Sequence, residues 1–274
     1  MPTADEFAAA VEADLVEHVA RLHEPPVGEV HREGGAVWFT TGLPSVDDNG
    51  VLRDAMRPER ADEVVEGLLQ PFLALGLPAM WWRFVGEAGE DPAVASALAR
   101  HGFTLDSDRP GMGLDLGGSV PPPPPRGVTT HRVRDEEMFL GWADVVGRAF
   151  DDPDFADGNS VVMGLRIGFG DDTPFRHFLC RLEGEWVGAS TLSLGAGVAG
   201  LANIATVPEH RGRGIGVCAA GAALTDARAM GLRIAALSAD AGGVRVYQKL
   251  GFTIVSRHLT YVRVADGAGA DPRL

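Results

Sequence analysis

The segment Val207-Pro208-Glu209-His210-Arg211-Gly212-Arg213-Gly214-Ile215-Gly216 places three glycines just where an apolar helix begins. A helix that starts without a capping side chain leaves its first backbone N–H groups unsatisfied. The helix dipole adds partial positive charge at the same point, so the junction is a ready site for a phosphate. Gly212, Gly214 and Gly216 let oxygens approach the backbone without a Cβ in the way. Arg211 and Arg213 add charge at the rim. A flexible turn before a buried helix is the plainer explanation of a bare glycine cluster. Two other phosphate motifs do not fit: the turn lacks the G-x-G-x-x-G pattern with its ribose-binding acid, and it lacks G-K-[ST].

The elements around this turn follow from periodicity and punctuation. Residues 128–134 form a strand and 135–150 a helix capped by Asp135. Residues 160–169 form a second, weaker helix. Three strands lie between Phe175 and Val207, with turns at Glu183-Gly184 and near 195–197. Residues 215–230 form a helix ended by Gly231. A strand at 233–239, a short helix at 242–251 and a strand at 253–264 complete the half. The order β-α-α-β-β-β-α-β-α-β implies a mixed sheet covered by helices. Upstream, helices are expected at 5–22, at 59–75 behind Pro58 and after Asp91 up to Gly102, with strands at 36–42, 79–86 and 111–116. Five consecutive prolines in residues 117–127 read as a stiff spacer, residues 121–126, that neither continues a helix nor donates ladder bonds. The boundaries expected are 1–120, 127–265 and a polar, frayed tail 266–274.

The chain carries 38 acidic and 24 basic residues, a net charge of −14. That surface repels nucleic acid and anionic lipid, so neither is expected as a partner. Cys180 and Cys218 have no metal-ligand spacing, which points to two buried thiols in a reducing compartment and to no metal. The acidic, amphipathic N-terminus is not a signal peptide, and there is no apolar run of about 18 residues. A cytoplasmic protein is expected.

Arg211, Gly214 and Gly216 after a strand resemble the acyl-coenzyme A signature of the GCN5-related N-acetyltransferases (GNAT), [QR]-x-x-G-x-[GA]. Downstream, YQKLGF (247–252) resembles the family's second marker. The two in this order carry the resemblance across residues 127–265. It implies an α/β (α+β) fold, a mixed, mostly antiparallel sheet flanked by helices, the acyl-CoA N-acyltransferase fold. It implies acetyl-CoA as co-substrate. By the same resemblance the strand ending at Val207 splays from the strand ending near Ser238. Ala205, Thr206 and Val207 then offer backbone to the pantetheine arm, and Arg211, Gly212, Arg213, Gly214, Ile215 and Gly216 hold the pyrophosphate. Asp240 stands seven residues before Tyr247, and its role is open.

Acetyl transfer to an amine requires loss of an amine proton, a polarised carbonyl and a protonated leaving thiolate. A backbone N–H near Val207 is a candidate to polarise the carbonyl. Tyr247 is the candidate acid, because a phenol holds its proton to a higher pH than a thiol. Several relatives use a glutamate on the strand before the signature, but LANIATV contains no carboxylate. His177, Glu209, Ser238, Asp151 and Asp152 are the remaining candidates for the base, and none stands out.

ALARHGFTLDSDRPGMGLDL (97–116) echoes VYQKLGFTIVSRHLTYVRV (246–264). The first half therefore looks like a second, reduced unit of two similar halves, with no R-x-x-G-x-G turn and no expected acyl-CoA. Trp38, Phe39, Trp81 and Trp82 either wall an acceptor pocket or simply pack a core. The leading expectation is transfer of acetyl to a small-molecule or peptide amine. A non-catalytic acyl-CoA sensor and a transferase of longer acyl groups remain alternatives, and a homodimer is left open.

Overall fold

The computed structural model describes residues 2–153, 155, 158–240 and 242–265. The tail expected from Asp266 lies outside them. The chain forms two compact units, Met1–His18 with Gly111–Val255, and Val19–Pro110 with Ser256–Leu274. The elements are α1 (Ala4–Leu22), β1 (Glu29–Glu33), β2 (Ala36–Thr40), β3 (Asn49–Arg53), α2 (Ala61–Leu75), β4 (Ala79–Val85), α3 (Pro92–Arg100) and β5 (Thr104–Asp115). They continue as β6 (Val128–Arg132), α4 (Glu136–Phe150), α5 (Asn159–Ile167), β7 (Phe175–Leu182), β8 (Glu185–Ser193), β9 (Ala199–Thr206), α6 (Ile215–Ala229), β10 (Ile234–Ser238), α7 (Val244–Lys249) and β11 (Thr253–Arg263). No helix among the described residues is long and apolar enough to cross a membrane.

In the first unit the strand order is β5-β10-β9-β8-β7-β6. β9 and β10 run parallel and the other pairs run antiparallel. Alternation along the strands sorts the helices between two faces. α6 and its Ala220, Ala223 and Leu224 pack on Ala199, Leu201, Ala235 and Leu237. The intervening positions, Val198 and Ala236, pack against Ala10 and Val11 of α1. Phe139 and Trp142 of α4 reach the same face as α1, their rings 4.9 and 4.4 Å from His177. With both faces covered, all of β7 except Arg181 is buried.

Local chemistry shapes these elements as the residue types demand. Asp135 caps α4, accepting from the Met138 amide at 2.9 Å, and Asp91 caps α3, accepting from the Ala93 amide at 2.8 Å. Glu183 and Gly184 take φ of +51° and +92°, the tight turn that matches strand twist. Cys180 and Cys218 are buried free thiols.

The proline run is not a bare spacer. It lies within the first unit and packs along α6, with Pro121 3.1 Å from where a Cβ on Gly221 would stand and Pro125 3.4 Å from the same point on Gly214. An extended proline segment rises about 3.1 Å per residue, and seven helical residues span about 10 Å, so the two run alongside each other in opposite directions.

In the second unit the order is β1-β2-β3-β4-β11-β5. Val65, Leu69 and Phe72 of α2 and Val94, Ala97 and Leu98 of α3 pack with Trp81, Phe103, Leu259 and Tyr261. Phe39, Trp81 and Trp82 are buried in this unit, and Trp38 is half-buried and stacked on His31. The two echoing segments explain why the units differ from the halves expected at residues 120 and 127. Residues 111–115 of β5 pair with β10, while residues 257–263 of β11 pair with β4. Each long strand therefore contributes residues to both units, including the one its own half does not otherwise form.

Candidate active site

β9 and β10 are in parallel register at two positions, Ala199 with Ala235 and Gly200 with Ala236. Beyond them no further pair forms, and the strands fork. On its other edge β9 carries a bulge. Its register with β8 jumps from Ala205–Ala189 to Ala202–Thr191, and Asn203 adopts φ +50°. A bulge leaves its extra residue outside the ladder and commonly adjoins an active site. The sequence reading did not find it, because Asn203 is an ordinary strand residue until its dihedral is known.

After β9, a short 3-10 turn over Pro208–His210 leads into the glycine turn. Gly212 and Gly214 have φ of +76° and +81°, a conformation that L side chains rarely adopt. No side chain caps α6 at Gly214, and the first helical bond runs from the Cys218 amide to the Gly214 carbonyl at 3.0 Å. The amides of Ile215, Gly216 and Val217 are therefore the helix's unpaired donors. Gly216 is different from its neighbours. A Cβ there would meet Thr206 Oγ1 at 3.5 Å, an ordinary contact, so the protein's own packing does not require this glycine. These features fit an acyl-CoA diphosphate: amides without an intrahelical acceptor, a dipole end and glycines that carry no side chain of their own.

The other sequence-singled residues have specific places. Arg211 is exposed but donates to the Ala149 carbonyl at 2.6 Å and to the Thr206 carbonyl at 3.4 Å, so it ties the turn to the end of α4. Arg213 is exposed and bonds His210 at 2.9 Å. The Val207 amide donates to Val187 at 3.1 Å, so it is spent on β8. Ala205 and Thr206 pair with Ala189 and Gly188.

Tyr247 lies on α7, which flanks the turn: Val246 Cγ1 is 3.9 Å from where a Cβ on Gly216 would be. Its ring packs over Gly243 and stands edge-on to Phe252 with centroids 6.1 Å apart. Burial, and then the charge of Asp240, push the phenol up to about 12.

Of the base candidates only Ser238 stands on an arm of the fork. His177 is buried against Phe139 and Trp142, bonds Thr191 at 2.9 Å, and is pushed down to about 3 by burial. An imidazole held that low does not take an amine proton at neutral pH. Glu209 is exposed and lies 3.8 Å from Arg148. Asp151 ends α4 in the left-handed conformation at φ +57°. Ser238 closes β10, paired with Gly111, and Asp152 is exposed.

Sequence reasoning passed over Asp14. It is 3 % exposed, on the buried face of α1 beside Val11. Its Oδ1 fills the space a Cβ on Gly200 would need. The Ser193 hydroxyl lies beside it but outside good hydrogen-bond geometry, so Oδ1 and Ser193 Oγ are both without a partner. Burial pushes this carboxyl up to about 7, with Ser193 opposing the shift. The signal was present in the sequence as an acid within the helix's apolar stripe.

Residues 141–252 match the model of the Acetyltransferase (GNAT) family. They form a GNAT domain. Solved structures share the fold over nearly the whole chain. A GCN5-related N-acetyltransferase from Kribbella flavida has a TM-score of 0.72 at 20 % identity, covering 96 % of this chain and 97 % of its own. A GCN5-related N-acetyltransferase from Sphaerobacter thermophilus has a TM-score of 0.63 at 18 % identity, covering 97 % and 95 %. A tandem GNAT protein from the clavulanic acid biosynthesis pathway has a TM-score of 0.61 at 16 % identity, covering 97 % and 98 %. No curated protein sequence matches the chain. The GNAT fold therefore accounts for the mixed, mostly antiparallel sheet and for the two similar halves, and the GNAT family performs acyl transfer.

The second unit has a fork of its own. β3 and β4 pair in parallel at Gly50–Met80 and Val51–Trp81. Asp54, just beyond β3, accepts from Trp81 Nε1 at 2.7 Å and from Arg83 Nη1 at 2.6 Å, and Arg83 Nε also donates to Glu90 at 2.7 Å. The two carboxylates raise the arginine's pKa against the effect of its burial. α2 opens with Asp62 and Glu63 in its first turn, a charge that disfavours a phosphate there.

Proposed function

We infer that the protein is an N-acetyltransferase that moves the acetyl group of acetyl-CoA to a primary amine of a small molecule or peptide. The amine attacks directly, with both substrates bound. The observation that carries this reading is the uncapped start of α6 just beyond the β9–β10 fork, with Gly212 and Gly214 in the left-handed region.

The roles follow from the geometry. The amides of Ile215, Gly216 and Val217 receive the diphosphate, and Ala205 to Val207 border the path of the pantetheine arm. With the Val207 amide already bonded, the bulge at Asn203 is the better source of an amide to polarise the carbonyl. A phenol near 12 is too weak an acid to hand its proton outright to a thiolate whose thiol has a pKa of about 8.5. Tyr247 therefore acts as a relay, giving a proton to sulfur while taking one from the attacking nitrogen. The second unit holds no acyl-CoA, because Asp54, Trp81 and Arg83 tie its fork together.

A panel of alkyl amines with acetyl-CoA, followed by release of free thiol, tests the reading. Acceptor-dependent release supports it. Binding of acetyl-CoA without release by any amine supports a non-catalytic sensor, the reading favoured by the lack of a carboxylate on β9.

A further inference from the structure

β9 reads Ala-Gly-Leu-Ala-Asn-Ile-Ala-Thr and has no acid to take the acceptor's proton. A carboxylate nevertheless stands on that strand. Asp14 of α1 packs its Oδ1 onto Gly200, into the volume that a side chain at position 200 would occupy. Gly200 is paired with Ala236, the last parallel pair before the strands fork, and with Ser193 across β8.

The surroundings of Asp14 are unusual for a structural acid. The carboxyl is buried, no hydrogen bond satisfies Oδ1, and the neighbouring Ser193 hydroxyl is equally unsatisfied. His18 is one turn along the same helix, and its charge reaches His177 on β7. The facing positions of β8, β9 and β10, which are Ser193, Gly200 and Ala236, carry no charge. A buried acid without a cation costs stability, and an arrangement of that kind is characteristic of functional sites.

We propose that Asp14 is the general base for the acceptor amine, a carboxylate delivered by α1 to the root of the β9–β10 fork where β9 has none. The assignment rests on the acyltransferase reading above. The incoming ammonium gives one N–H proton to the Asp14 carboxylate. The freed lone pair forms the C–N bond at the thioester carbonyl carbon. The C–S bond breaks and its electron pair leaves on sulfur. A second N–H proton reaches that sulfur through the Tyr247 phenol, which loses one proton and regains one. The products are the amide, the free thiol and a protonated Asp14, which returns its proton to solvent. Burial holds this carboxyl near 7, where a base both accepts and releases a proton at neutral pH.

The test is Asp14→Asn in the full chain, with acetyl-CoA and the best acceptor of the amine panel. The expected result is an acetyl-CoA titration like that of the wild type, thiol release slower by about 100-fold or more, and loss of the rise in kcat with pH centred near 7. A variant that keeps its rate within about threefold and keeps that rise overturns the proposal. Should the variant not fold, the wild-type profile decides: a rise in kcat centred near neutrality supports Asp14, and a flat profile refutes it. Wild-type protein that gives no heat with acetyl-CoA fails at the earlier step and removes the acyltransferase reading, and this assignment with it.

Discussion

The Oδ1 of Asp14 occupies the space beside Gly200 that any larger residue at position 200 would claim. Helix α1 and strand β9 are thus matched at one point, an acid on the helix and a missing side chain on the strand. Gly200→Ala is expected to displace the carboxyl. Overpacking of this kind costs about 1–3 kcal/mol, and thiol release should fall together with it. Thermal unfolding and the rate assay on one preparation check both effects.

The same carboxyl makes stability depend on pH in a stated direction. Its folded value, about 7, lies above the model-compound value of 3.8, so the folded state binds the proton more tightly. The stability Asp14 contributes is fully present below the unfolded value and is lost as pH rises through the folded one. Asp14→Asn should therefore unfold at higher denaturant than the wild type at pH 8. The difference should approach a few kcal/mol at most and should close as pH falls toward about 4. Paired urea melts across that range are the measurement, and a difference independent of pH contradicts the burial argument.

Tyr247→Phe removes the phenol and keeps the ring over Gly243 and against Phe252. Turnover is expected to drop by about 100-fold while calorimetric affinity for acetyl-CoA stays close to wild type. Unchanged turnover takes the phenol out of the mechanism.

Asp54→Ala breaks the network of the second unit. It leaves Arg83 with Glu90 alone and strips Trp81 Nε1 of its acceptor. Removing one partner of a buried ion pair costs about 3–5 kcal/mol. Chemical denaturation should show that loss, and an acetyl-CoA titration should still give one site per chain.

The sequence made legible whatever depends on local chemistry. Asp91 and Asp135 cap their helices, Gly184 turns its hairpin, and the glycines at 212 and 214 take positive φ because the turn demands it. β1 and β3 were missed for a physical reason. One is the charged stretch Glu-Val-His-Arg-Glu and the other begins Asn-Gly, so neither carries the apolar alternation that marks a strand. Arg211 was expected at the rim of the site, and the structure adds that its guanidinium is bonded to two backbone carbonyls. Partner choice of that kind depends on where α4 ends, which spacing alone does not give. Asp14 lies 186 residues before Gly200 in the chain, and its meaning appears only once α1 is laid on the strand.

The helix start at Gly214 is the point on which everything else depends, and Gly214→Val tests it most directly. A branched residue at φ +81° both strains the turn and places carbon in front of the open amides. Calorimetry with acetyl-CoA should give one site per chain in the wild type and no detectable heat in a folded Gly214→Val. Equal binding by the variant, or no binding by the wild type, contradicts the account.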